Sequence, residues 1–174
     1  MSKLKNVLSG LLLILLLGVS ASGLQAQDQH VANQTGDVYG AASLGYGFEL
    51  EEPSIGVNGY YSITEEIRAG GDLIFFLMDT DNLNVWELNI NGHYIFRDRD
   101  NLRLYGLAGI NRIRFSWDVP DDSPFAPSSF SETGLNIGGG VEYDLGGFLL
   151  FGEPKFTISD ADQFSINVGA RLSF

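Results

Sequence analysis

His93 stands among strand-like residues, and what it can do depends on its neighbours. General-base work needs a partner within hydrogen-bond reach. The positions two away on the same face, however, are Asn91 and Ile95. Residues sharing the same alternation phase in other segments are charged: Arg68, Arg103, Lys155 and Arg171 against Asp72, Glu87, Glu142 and Glu153. Four bases facing four acids in a confined interior must pair, because an isolated buried charge is costly. The expectation is therefore a structural network, with His93 joining it near Glu87 or Asp72 rather than acting as a catalyst. A second set of acids is nearly free of bases: Glu49, Glu51, Glu52, Asp79, Asp81, Asp118, Asp121, Asp122, Asp160 and Asp162. Carboxylates suit Ca²⁺ or Mg²⁺, but no spacing here matches a formed calcium loop, and a solvated, self-repelling crown is the plainer expectation. No metal or cofactor is assigned. A third feature is the segment 118–131, with Pro120, Pro124, Phe125, Pro127 and Phe130. Its aromatics can anchor an external partner or fold back over the molecule, and the second use is expected.

These side chains need a frame. The chain has 174 residues, enough for one domain. Residues 1–26 read as a cleaved export signal: Lys3 and Lys5, an apolar stretch from Val7 to Val19, then small residues with Leu24-Gln25-Ala26 before the expected cut. That stretch is 13 residues long, against roughly 20 for a spanning helix. Residues 27–36 are polar and are expected to form a flexible N-terminal tail, leaving 37–174 as the folded domain. There is no cysteine, hence no disulfide, lipoprotein anchor or thiolate chemistry. The net charge is −12, which argues against nucleic acid and against a peripheral attachment to anionic lipid held by overall charge.

After the signal the chain reads as period-two alternation broken by turn residues. Eight strands are expected near 38–50, 54–63, 67–77, 85–96, 102–117, 133–144, 148–158 and 164–174. The last is the clearest: Phe164, Ile166, Val168, Ala170, Leu172 and Phe174 alternate with Ser165, Asn167, Gly169, Arg171 and Ser173. The apolar phase of all eight carries no charge until Ile110 in the fifth, as a lipid-facing surface requires. Beyond Ile110 the phase fails, and Arg112 and Arg114 fall on the apolar side. Either the strand has left the bilayer or a bulge resets it. Asn58-Gly59 and Asn91-Gly92 are hairpin signals, kept here as strand because alternation runs through them. Pro154 lacks a ladder donor and predicts a bulge or weak pairing. Short turns near 64–65, 97–101 and 144–147 alternate with connections that include the long 118–131. A sheet that crosses a membrane must close, so the predicted fold is an all-β, eight-stranded antiparallel up-and-down transmembrane barrel. Aromatics near strand ends (Tyr46, Phe48, Tyr61, Phe75, Trp86, Tyr94, Phe96, Tyr143, Phe156) fit two interfacial girdles.

With that signal, those eight strands and a terminal aromatic, the sequence resembles the bacterial outer-membrane protein β-barrel superfamily, specifically small eight-stranded porin-family domains. Tyr105-Gly-Leu-Ala-Gly-Ile-Asn111 looks like a strand common among them. Phe174, with Leu172, Val168 and Phe164 on one face, resembles the signal read by the barrel-assembly machinery during insertion. The resemblance implies residence in the bacterial outer membrane, in contact with its lipid and lipopolysaccharide; for the acidic rim, divalent cations bridging to lipopolysaccharide phosphates are the alternative to a solvated crown. Some such barrels modify lipid A, but His93 lacks a serine two positions away and no histidine stands in the outer loops. A soluble, lipocalin-like barrel shares the alternation; the charge-free face, the interfacial aromatics and Phe174 favour the membrane. The expected role is non-enzymatic, structural or surface-interacting, with a possible extracellular partner at the loops. The alternative is a narrow channel for a small or apolar solute.

Overall fold

The computed structural model describes residues 32–80, 82–117, 129–160 and 162–174. The proposed signal at 1–26, the first part of the tail and the loop aromatic Phe125 lie outside them. Eight strands follow one another: β1 (Val38–Gly47), β2 (Glu52–Ser62), β3 (Ile67–Phe76), β4 (Leu83–Arg99), β5 (Leu102–Trp117), β6 (Ser129–Asp144), β7 (Leu149–Ile158) and β8 (Gln163–Ser173). Each is antiparallel to the next, and β8 pairs β1 from Tyr39↔Ser173 to Gly47↔Ser165, so the sheet closes into a barrel. Closure gives every strand two neighbours and removes the exposed edge.

Both described termini and the tight β2–β3, β4–β5 and β6–β7 connections lie at one end, here the turn end. Asp100 and Asn101 both adopt positive φ (55° and 62°), the backbone of a two-residue hairpin turn whose twist matches its strands. Three of the four connections at the opposite, loop end are also short, at 48–51, 77–82 and 159–162; only 118–128 is long.

Strand lengths are unequal. β1, β2, β3, β7 and β8 have 10 or 11 residues, whereas β4 has 17 and β5 and β6 have 16 each. A tilted membrane strand needs about 9–11 residues. The extra length of β4, β5 and β6 lies mainly at the loop end: β6 runs on from Leu135, the partner of the last β7 residue Ile158, to Ser129, and β5 rises with it to Trp117, whereas β4 passes β3 by Leu83 and Asn84 there and carries the rest of its excess, 95–99, at the turn end. The extra height of β5 accounts for the failing phase after Ile110. The β4–β5 and β5–β6 registers run unbroken through Arg112↔Leu88 and Arg112↔Thr133, so the strand leaves the bilayer and no bulge resets it.

Two irregularities matter. The β4–β5 register shifts between Ile95 and Arg97, which exchanges faces beyond it and brings Asp98 inward opposite Arg103. Near Pro154 the β6–β7 ladder jumps from Gly138↔Lys155 to Val141↔Gly152, the weak pairing a missing donor predicts. Asn58-Gly59 and Asn91-Gly92 lie inside β2 and β4 as expected.

The outward face is apolar. Val57, Ile90, Leu135, Ile137 and Val168 are more than half exposed, and Tyr61, Tyr94 and Phe96 stand outward near strand ends. The inward face carries the buried polar set, so exposure inverts the pattern of a water-soluble protein.

Candidate functional site: the barrel interior

At the turn end, three arginines from three strands meet one carboxylate. Glu142, fully buried on β6, accepts from Arg68 of β3 (Nη2–Oε1 2.8 Å, Nη1–Oε2 3.2 Å), from Arg103 of β5 (Nη1–Oε2 2.9 Å) and from Nη1 of Arg171 of β8. The shifted register supplies a second acid, Asp98, whose Oδ2 accepts from Arg103 Nε at 3.0 Å. Arg68 Nε and Arg171 Nε and Nη2 find no acceptor among the described residues. Their guanidinium planes instead lie over rings, Arg68 over Tyr39 and Tyr105 (5.0 and 5.3 Å), Arg171 over Phe151 and Tyr60 (4.6 and 5.2 Å). Ring faces attract a desolvated cation, which offsets part of the burial cost.

His93 stacks between Tyr60 and Tyr105, with centroids 4.2 and 4.3 Å away. Its nearest acid is Glu153 (Nε2–Oε2 3.8 Å), and Arg68 Nη2 lies 3.4 Å from Nδ1. This corrects the expectation that it sits by Glu87 or Asp72: those residues project from β4 and β3 at levels nearer the loop end. Tyr105 can lie across the lumen because Gly140 faces it; a Cβ there would strike the ring. Its hydroxyl donates to Glu153 at 2.6 Å.

The middle of the lumen is an amide layer. Asn136 Nδ2 donates to the side-chain oxygens of Asn89 (2.8 Å) and Asn91 (2.9 Å), Asn111 donates to Asn89 (2.8 Å), and Thr157 to Asn136 (2.8 Å). Asp72 accepts from Asn91 (2.6 Å) and Tyr60 (2.9 Å), and Lys155 faces Glu87 at 3.6 Å. The expected residues do share one interior, but three bases converge on one acid instead of pairing one to one. The amides were not singled out in the sequence, although Asn89 and Asn91 share the phase of Glu87 and His93 and could have been added by that rule.

Asn33, at the end of the stretch read as a tail, is buried. Its N–H donates to Asp98 Oδ2 (2.8 Å), its Nδ2 to the carbonyls of Thr64 (3.2 Å) and Glu65 (2.8 Å), and its Oδ1 accepts from Tyr39 (2.9 Å) and Ser62 (2.7 Å). The segment thus closes over the turn end and ties into the arginine cluster through Asp98. Nothing in the sequence distinguishes this asparagine from its polar neighbours.

At the loop end the interior turns apolar. Ile74, Phe76, Val85 and Ile113 form a buried cluster, with Leu50, Met78, Leu83 and Phe115 packed against it. From turn end to loop end the lumen is therefore filled by an ionic cluster, an amide layer and an apolar plug. Among the described residues no group of three or more His, Cys, Asp or Glu is placed to hold a metal ion. Phe164, Val168, Leu172 and Phe174 line the outer face of β8 beside β1, with Phe174 N–H donating to the Val38 carbonyl at 2.9 Å.

The comparisons agree with this architecture. A family profile described as outer membrane protein beta-barrel domain matches residues 11–173. No curated protein matches the sequence. Among solved structures, the N-terminal barrel domain of OprF from Pseudomonas aeruginosa is similar at 17% identity and TM-score 0.66, over 80% of this chain and 98% of that one. OprG of the same organism follows at 13% and 0.60, over 82% and 98%. Ail, the attachment invasion locus protein of Yersinia pestis, is similar at 16% and 0.53, over 81% and 100%. At such identities the likeness shows the fold alone.

Proposed function

Since the chain belongs to the outer membrane protein beta-barrel domain family, we propose that it is a closed, non-enzymatic barrel with a structural or surface-interaction role, exerted through its wall and outer end. The observation that carries this is the filled lumen, above all the Arg68, Arg103 and Arg171 cluster on Glu142, whose four side chains are essentially inaccessible. Eight strands leave an interior just wide enough for side chains, and these side chains interlock. His93 is walled in by two tyrosines and an arginine and has no route to a lipid substrate. In this reading an export signal at 1–26 delivers the chain, Phe164, Val168, Leu172 and Phe174 present the insertion signal to the assembly machinery, and the turn end faces the periplasm, as tight turns do in this class. One neighbour, Ail, has been crystallised with the heparin analogue sucrose octasulfate. The acidic loop residues of this chain would repel such an anion, so an external partner would have to be of another kind.

Planar-bilayer conductance of the refolded mature chain, checked first for heat-dependent gel mobility, tests the closed lumen. Silence is expected. Discrete channels would overturn it in favour of a narrow passage for a small or apolar solute, a reading favoured only by the apolar lining of Ile74, Phe76, Val85 and Ile113.

A further inference from the structure

The tall side of the barrel has an outer surface that the closed-lumen reading does not use. Arg112 and Arg114 sit two residues apart on β5, both exposed and on the face shared by Ile110. Two strand residues span about 7 Å, so two long side chains can converge on one small anion. Across the ladders they pair with Leu88 and Trp86 on β4 and with Thr133 and Ser131 on β6. Arg114 Nη2 donates to Ser129 at 3.2 Å. The outward positions of this patch are otherwise neutral: Asn84, Trp86, Ser116, Ser129, Ser131 and Thr133. Glu132 pairs with buried Ile113 and so belongs to the inward face.

Placement decides what the patch meets. Directly towards the turn end on the same face stand Ile90, Ile110, Leu135 and Ile137, each about half exposed or more. Counting about 9–11 membrane residues from Leu102 puts Arg112 at the outer boundary of the hydrocarbon. Of the eight Lys and Arg beyond position 26, four are the lumen set and Arg97 and Arg99 flank the β4–β5 turn; Arg112 and Arg114 are the remaining two. A chain of net charge −12 therefore places its outer-end cations on the lipid-facing wall, beside Trp86, at headgroup height. Guanidinium forks match phosphate oxygens in geometry and charge.

We propose that Arg112 and Arg114, with the hydroxyls of Ser129, Ser131 and Thr133, form a binding site for the phosphate of an outer-leaflet lipid headgroup. The site rests on the membrane orientation adopted above. It fixes one side of the barrel against phosphate-bearing lipid, where the acidic remainder of the outer end is repelled.

The test uses the refolded mature chain in neutral detergent and reads the thermal midpoint of its heat-dependent gel shift. Lipid A with its phosphates should raise the midpoint, and lipid A stripped of phosphate should not. In R112Q/R114Q the apparent affinity for the phosphorylated lipid should fall about tenfold or more per lost charged contact, whereas R97Q/R99Q, at the other end, should behave as the parent. Equal protection by the dephosphorylated lipid would overturn the proposal even if R112Q/R114Q failed to fold. So would unchanged binding by a folded R112Q/R114Q. Protection by inorganic phosphate at the same concentration would assign a free anion instead of a headgroup. Conductance by the barrel would refute the closed lumen and leave these outcomes readable.

Discussion

Within the bilayer, the β4–β6 wall shows Ile90, Ile110 and Ile137 to the outside and Asn89, Asn91, Asn111 and Asn136 to the inside. Beyond the bilayer the same three strands, in unbroken register, show Asn84, Arg114 and Ser131 outside and Val85, Ile113 and Phe115 inside. The backbone does not change; the surroundings do. Inside the membrane the outward face meets hydrocarbon, and the lumen is the place where polar groups can satisfy one another. Past the headgroups the outward face meets water, and the enclosed side becomes an ordinary core. Alternation with a period of two is thus a statement that the two faces differ, and only depth says which is apolar.

The largest effect should come from breaking the polar interior. Glu142→Leu leaves three buried guanidinium groups around an apolar side chain, and removing one partner of a buried ionic cluster costs about 3–5 kcal/mol. Urea titration of the gel shift should show a large fall in midpoint, and an unchanged one would deny that the cluster is held by this carboxylate. Next, arginine placed along β6 maps the boundary from outside. Ile137→Arg should cost about 2–4 kcal/mol as a lipid-facing midplane charge, and Ser131→Arg about 0–1. Equal costs at the two positions would remove the depth argument. A smaller loss is expected from Ile113→Ala in the apolar plug, about 2 kcal/mol, the low end for such truncations because the open outer end can relax. If that substitution were silent, the loop-end cluster would not be a core.

The strand plan was legible because alternation, turn residues and the terminal aromatic act locally. The lumen set Arg68, Asp72, Glu87, His93, Arg103, Glu142, Glu153, Lys155 and Arg171 was legible for the same reason: parity along each strand assigns a face. Partnership was not legible. Four acids against four bases suggested pairs, whereas stagger around the barrel brings Arg68, Arg103 and Arg171 to the height of Glu142 and carries Glu87 away from His93. Asp98 was hidden because the register shift after Ile95 exchanges the faces, and parity counted from His93 puts it outside. Asn33 was hidden because its five hydrogen bonds reach groups 6 to 65 residues away.

The sequence by itself determined eight strands, a charge-free lipid face and a polar inward face, since each follows from side-chain order along a pleated strand. Only the tertiary structure decided how high each strand rises above its neighbours. Closure with stagger fixes which levels meet across the lumen, and those levels place three arginines on one glutamate, a plug at the outer mouth and two arginines at the edge of the membrane.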